Sequence, residues 1–255
     1  MGGRLLAANP PAVMWNPKIK MIVMTIVAIA RRTICITFVC VIFFSSSIAL
    51  GQAEDPDPHR FDEQIQAFAS WDAKNAFPEK PVVFVGSSSI RFWNTGESFP
   101  SVPVVNRGFG GAHISDVNTF ISETVLRYQP TMIVFYAGDN DIAAGKDNDQ
   151  VIEDYMEFLE MVLASDASVD VVYIPIKPSL ARWTMWPQMA AANKRILDYS
   201  KNYKNLHYVD LASPILGQGG EPREEYFIED GLHLNPSGYD VWTEVMSEFF
   251  ESFPW

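Results

Sequence analysis

Val82-Val83-Phe84-Val85-Gly86-Ser87-Ser88-Ser89-Ile90 is a short apolar run that ends in a glycine and three consecutive serines. Four apolar residues closed by a turn residue predict a strand buried on both faces. In an open α/β sheet the carboxyl ends of the strands carry the chemistry, so a hydroxyl directly after such a strand is a candidate nucleophile, a phosphate ligand or a helix cap. Taken alone, three serines at a helix entrance read as caps and turn residues. The rest of the chain decides between these readings.

Outward from this stretch, strand and helix patterns alternate. Phe61, Ile65, Phe68 and Trp71 recur at helical spacing before it. Val102-Pro103-Val104-Val105 reads as a second strand, its proline predicting an edge position. Ile114, Val117, Ile121, Val125 and Tyr128 predict one amphipathic helix entered through Ser115, and Met132-Ile133-Val134-Phe135-Tyr136 is a third, continuously apolar strand. A helix stripe runs from Val151 to Leu163, a fourth strand over 171–174, a helix from Met189 to Tyr199 and a fifth strand over 206–209. The last helix is predicted to start at Asn235 as N-cap with Pro236 at its first position, and to bury Val241, Trp242, Val245, Met246 and Phe249. Strands separated by helices imply a parallel sheet with right-handed crossovers. The fold class is α/β, a three-layer α/β/α sandwich on a five-stranded parallel sheet.

The chain has 255 residues, 48% hydrophobic, enough for one or two domains with a substantial core. Its 19 basic residues are unevenly spread. Five lie in residues 1–53, where there is no acid, so the remainder carries 14 basic against 31 acidic residues. A body this anionic is a poor nucleic-acid binder. Arg31-Arg32 precede an apolar run from Thr33 to Leu50 that exits through Gly51-Gln52-Ala53, the pattern of a secretory signal peptide cleaved after Ala53. The expectation is export to a periplasmic or secreted location, with no stable membrane insertion after cleavage. Both cysteines, Cys35 and Cys40, fall inside the apolar run, which leaves the mature chain with no thiol nucleophile or cysteine metal site.

Four polar groups of residues fall on one rim of the expected sheet. Ser87-Ser88-Ser89 follow strand one, Asn106-Arg107-Gly108-Phe109-Gly110-Gly111 follow strand two, Ala137-Gly138-Asp139-Asn140-Asp141 follow strand three, and Asp230-Gly231-Leu232-His233 lie past strand five. A serine hydroxyl needs an adjacent general base to attack at neutral pH. His233 can supply it, and Asp230 three residues earlier can hold the other ring nitrogen. A tetrahedral intermediate needs donors aimed at its oxyanion; the Gly111 N–H and the Asn140 side-chain amide are the candidates. Such a site requires neither metal nor cofactor. His113 rivals His233 as base but has no orienting carboxylate beyond Asp116, and reads as a pocket or surface residue, while His59 and His207 read as structural. Ile176 to Trp183 follow strand four on the same rim, which makes Lys177, Arg182 and Trp183 candidate substrate contacts. Trp93 reads as a core aromatic with a second claim on the pocket wall.

The four ordered blocks resemble those of the SGNH hydrolases, also called GDSL esterases and lipases. Gly86-Ser87-Ser88 is similar to the first block, Gly111 to the second, Gly138-Asp139-Asn140-Asp141 to the third and Asp230-Gly231-Leu232-His233 to the last. The resemblance covers about residues 80 to 240 and implies a flavodoxin-like strand order of 2-1-3-4-5, with Ser88 as nucleophile, a serine-bound acyl intermediate and metal-free ester hydrolysis in a domain spanning 54–255. Ser87 stands where the family carries an aspartate between glycine and nucleophile. The expected activity is hydrolysis of short acyl esters of small molecules or carbohydrates, O-acetyl groups included. Phospholipid or lysophospholipid esters are the neighbouring substrate class. The reading from another class is a non-catalytic flavodoxin-like module whose serine loop cradles a phosphate or flavin.

Overall fold

The computed structural model describes residues 53–255; the expected signal segment, apart from Ala53, lies outside them. Five strands, β1 (Val82–Gly86), β2 (Val104–Gly108), β3 (Met132–Tyr136), β4 (Asp170–Tyr173) and β5 (Leu206–Tyr208), form one parallel sheet in the order β2-β1-β3-β4-β5. Gly86 is in register with Gly108 on one side and Tyr136 on the other. The ends of β1 and β3 therefore lie side by side where the strand order reverses, the place where such sheets bind ligands.

The helices in chain order are α1 (Asp62–Asp72), α2 (Ser88–Arg91), α3 (Thr95–Ser98), α4 (Ile114–Thr119), α5 (Ile121–Thr124), α6 (Asp139–Ala143), α7 (Asn148–Ser165), α8 (Trp186–Ser200) and α9 (Pro236–Ser252). Successive side chains of a strand point to opposite faces. Val83, Val85, Ile133 and Phe135 accordingly pack with α1, α4, α5, α7 and α8, while Val82, Phe84, Met132, Val134 and Tyr136 pack with α2, with Trp93 and Phe99, and with α9. This is the three-layer sandwich. Burial of each Val, Ile or Phe on these strands contributes about 1.5–3 kcal/mol relative to exposure, so the doubly apolar runs of β1 and β3 have to be the centre of the sheet.

Local signals hold at two long helices. Asp147 Oδ1 accepts from Gln150 N at 2.9 Å and Gln150 Oε1 accepts from Asp147 N at 3.2 Å, a reciprocal capping box at the start of α7. Asn235 Oδ1 accepts from Gly238 N at 3.0 Å, with Pro236 first in α9. Helix α9 buries Trp242, Met246 and Phe250, one position past the expected Phe249, which is partly buried beside Val241 and Val245.

Three sequence expectations need correction. Strand β2 starts at Val104, two residues later than expected, and runs three residues past its apolar run, to Gly108, because its polar residues are satisfied: Arg107 pairs with Asp72 at 2.5 Å and with the Tyr128 hydroxyl at 2.6 Å. The single helix expected over 114–128 is broken at Phe120 and Val125 into α4, α5 and a 3-10 turn. Thr119 and Thr124 hydroxyls donate to the Ser115 and Phe120 carbonyls, the back-bonding that bends helices. Its N-cap position is His113, not Ser115. Trp71 is 48% exposed, its ring covering the Arg107 guanidinium.

Candidate active site

Gly86 ends β1 with φ +138°, and a Cβ there would lie 1.8 Å from the Tyr136 carbonyl oxygen, so only glycine lets the chain turn off the sheet against β3. Ser88 then opens α2, where Asn106 Nδ2 donates to the Ile90 and Trp93 carbonyls at 2.7 and 3.0 Å. The Tyr239 hydroxyl of α9 donates to the Ser89 carbonyl at 2.9 Å. The capping role read for the serine run is absent: Ser87 sits at the N-cap position but makes no side-chain cap bond, and its Oγ is fully enclosed without a partner among the described residues. Ser89 is buried within α2.

Ser88, His233 and Asp230 meet across 145 residues of sequence. His233 Nε2 lies 2.9 Å from Ser88 Oγ and His233 Nδ1 lies 2.6 Å from Asp230 Oδ2. The other carboxylate oxygen of Asp230 accepts the backbone N–H groups of Leu232 and His233 at 2.8 and 2.9 Å. Partial burial opposes the charge on Asp230, but the bonds from the His233 ring and from these two N–H groups outweigh it and lower its pKa to about 2. An ionised Asp230 accepts only, so Nδ1 carries the proton and Nε2 presents a lone pair to the serine hydroxyl. The loop itself is pinned by Ile228 N to the His233 carbonyl and by Asn235 N to the Tyr226 carbonyl. Phe92, 52% exposed, stands edge-on to the His233 ring at 5.1 Å.

Gly111 comes from a loop and Asn140 from the first turn of α6, and the two segments are stitched together. Asn140 Nδ2 donates to the Ala112 carbonyl at 3.0 Å, and Ile114 N donates to the Asp141 carboxylate at 3.2 Å. Gly111 is exposed with φ +81°, and none of the described hydrogen bonds uses its N–H. Gly138, at φ +117°, starts α6 and delivers Asn140 to the rim.

The residues expected to contact substrate are placed differently. Lys177 is 2% exposed and donates to the Leu232 carbonyl at 2.7 Å; burial, only partly offset by the Asp139 carboxylate, lowers its pKa to about 8. Arg182 forks inward onto Asp139 Oδ2 at 2.7 Å and Asn140 Oδ1 at 2.9 Å. Both cations therefore hold protein groups. Trp183 is half-buried and stacks on Trp186 at 6.2 Å. Trp93 is a core residue, 2% exposed, its Nε1 donating to the Ser98 and Thr243 hydroxyls. His113 is not a surface residue: it is 6% exposed, with burial lowering its pKa, and its Nδ1 is 3.9 Å from Asp141 Oδ1, while Asp116 accepts only its backbone N–H. His207 pairs with Asp170 at 2.7 Å across the sheet edge, and exposed His59 with Asp62. Asn106, Asp139 and Phe92 had no role assigned from sequence; Phe92 carried the one available signal, a large apolar side chain one turn past the candidate nucleophile.

The GDSL-like Lipase/Acylhydrolase family model matches residues 93–241, more than half of the chain. The chain belongs to this family. Its acylhydrolase and esterase character extends to the chain at that level, and the match includes Gly111, Asn140, Asp230 and His233 but begins five residues past Ser88. No curated protein matches. Among solved structures, a GDSL-like lipase from Bacteroides thetaiotaomicron is 22% identical, covering 73% of this chain and 97% of its own, with a TM-score of 0.62. A carbohydrate esterase family 3 structure from Talaromyces cellulolyticus is 19% identical over 67% and 95% of the two chains, TM-score 0.54, and an acetyl xylan esterase is 18% identical over 66% and 98%, TM-score 0.57. These likenesses are of fold.

Proposed function

We propose that the protein is an exported serine esterase that removes short acyl groups, with O-acetylated carbohydrate as its substrate class. The observation that carries this reading is the continuous relay from Ser88 Oγ through His233 to Asp230, at 2.9 and 2.6 Å. In the first half-reaction His233 Nε2 takes the hydroxyl proton as Ser88 Oγ bonds to the acyl carbon, and the carbonyl oxygen becomes an oxyanion facing the Gly111 N–H and Asn140 Nδ2. The oxyanion then collapses, the C–O bond to the alcohol breaks, and Nε2 returns the proton to the leaving alcohol. Water repeats the sequence on the acyl-serine to release the acid. Asp230 stays ionised throughout and stabilises the imidazolium.

Two observations support an uncharged substrate. Lys177 and Arg182 are engaged on protein carbonyl, carboxylate and amide oxygens, so neither is free to draw in a phosphate ester. Beside His233 runs a groove of about 760 Å³ whose lining includes Phe92, Tyr239, Asn94 and Thr243 together with the carboxylates Glu97 and Asp240, which disfavour an anionic substrate. Ring faces flanked by amide and hydroxyl groups suit the apolar face and hydroxyl rim of a sugar. The names of two structural neighbours, a carbohydrate esterase and an acetyl xylan esterase, point the same way.

The test is labelling by a fluorophosphonate probe, with acetate release from acetylated xylan measured in parallel against fatty-acid release from a lysophospholipid. The wild type is expected to label and to release acetate, and Ser88→Ala to do neither. A wild type that neither labels nor turns over, or a Ser88→Ala variant that retains both, overturns the serine mechanism; preference for the lysophospholipid overturns the substrate assignment alone.

A further inference from the structure

We infer that Arg182 is a positioning residue for the oxyanion site, acting through the Asn140 amide; this rests on the reading of Asn140 as an oxyanion donor. A side-chain amide has one acceptor oxygen and two N–H donors, and a half-turn about its last bond exchanges them. In Asn140 every choice is made by neighbours. Oδ1 accepts from Arg182 Nη2 at 2.9 Å, and Nδ2 donates one hydrogen to the Ala112 carbonyl at 3.0 Å. The second Nδ2 hydrogen has no acceptor among the described bonds and is the one available to a substrate oxygen. Flipping the amide sets NH2 against a guanidinium that is always protonated, and Oδ1 against a carbonyl, so both contacts turn repulsive.

The arginine is held in its turn. Its Nη1 bonds Asp139 Oδ2 at 2.7 Å, and both side chains are largely enclosed, Arg182 at 17% and Asp139 at 6% exposure. Its loop is tied to the base loop by Ala181 N to the Gly231 carbonyl at 3.0 Å. A charge-assisted bond on Oδ1 also draws electron density from the amide nitrogen, which strengthens Nδ2 as a donor at the point where negative charge develops. Lysine, with a point charge in place of a planar fork, cannot make both bonds in this geometry.

The effect of such a residue belongs to the transition state, so it appears in kcat rather than KM. The experiment is a double-mutant cycle on short-chain ester turnover with Arg182→Met, Asn140→Ala and the double variant, and with Arg182→Lys as a variant that keeps the charge. Asn140→Ala is expected to lower kcat about 10²-fold or more, as loss of an oxyanion donor does. Arg182→Met is expected to lower kcat roughly ten-fold or more at nearly constant KM, and the double variant to be no slower than Asn140→Ala, because groups acting as a unit are not additive. Arg182→Lys should fall between wild type and Arg182→Met, and it carries the same comparison in the Asn140→Ala background if Arg182→Met does not fold. Additive losses in the double variant, or a raised KM with kcat intact as for a substrate contact, overturn the inference while leaving the esterase reading standing. If Asn140→Ala alone is fully active, the oxyanion assignment of Asn140 fails and the inference fails with it.

Discussion

Replacing Ser87 by alanine separates two readings of the serine run with opposite signs. As an ordinary N-cap, Ser87 would accept a bond from a helix N–H, and its loss would cost about 1 kcal/mol. Here Ser87 Oγ makes no such bond; the residue is 0% exposed and the oxygen has no partner among the described residues. Enclosing a hydroxyl without a partner costs about 1–3 kcal/mol. Alanine keeps the Cβ and removes one oxygen, leaving a void of roughly 10–15 Å³, which at 24 cal/mol per Å³ costs about 0.3 kcal/mol. The expected outcome is a gain of about 1–2 kcal/mol, which for a protein of this size raises the melting temperature by about 2–8 °C. Urea unfolding measures it, with an unchanged slope showing that stability alone has moved. Ester turnover should survive in Ser87→Ala and vanish in Ser88→Ala. A destabilisation of about 1 kcal/mol in Ser87→Ala would show that its hydroxyl caps α2 after all and refute the reasoning.

Two further outcomes follow from buried charges. Lys177 has a folded-state pKa of about 8, below the usual lysine value, so between pH 8 and 10.5 the unfolded chain binds more protons than the folded one and stability rises with pH. Urea unfolding at pH 7 and pH 10 should show wild type gaining on Lys177→Met by a few kcal/mol, on the order of 1.4 kcal/mol per pKa unit; a constant difference would place the ammonium in water. Lys146 is 2% exposed and lies 2.5 Å from Asp55, 2.5 Å from Asp154 and 3.1 Å from Asp141. Lys146→Met strands the fully buried Asp141 carboxylate, whose pKa burial already raises to about 6, and should cost about 3–5 kcal/mol at neutral pH. Without the ammonium the Asp141 pKa rises further, so the loss should shrink as the pH falls toward 6 and level off below it, where the wild-type carboxyl is protonated as well; an equal loss at pH 5 and pH 7 would exclude Asp141 as the cause.

The centre of the sheet was legible because β1 and β3 are apolar at every position, a pattern that only a strand covered on both faces tolerates. The last helix was legible because its start is encoded locally by Asn235 and Pro236. Strand β2 was cut short because nothing in local periodicity reveals that Arg107 is neutralised by Asp72, 35 positions away. Asp230 and His233 could be paired from the sequence because they sit in one four-residue loop. Arg182 and Lys177 could be placed on the correct rim, but sequence does not say which way a long side chain turns once there. Both turn inward, because the buried carboxylate of Asp139 and the half-buried carbonyl of Leu232 and amide oxygen of Asn140 accept their donors.

Those enclosed groups also show what the site costs the fold. Seven buried side-chain polar atoms lack partners among the described residues, and four of them, Ser87 Oγ, His113 Nδ1, Tyr136 Oη and Asp139 Oδ1, lie at or just past the carboxyl ends of β1, β2 and β3. Stability alone would not concentrate such groups at one edge, since each unmet polar atom is destabilising. The proposed esterase site lies at that same edge, where dipoles fixed before the reaction would need no reorganising during it. Ser87 is one of these four and also the position where the chain departs from its family's aspartate. Asn106 and Tyr239 already hold α2 by its carbonyls, so the helix is anchored without any bond from the Ser87 hydroxyl.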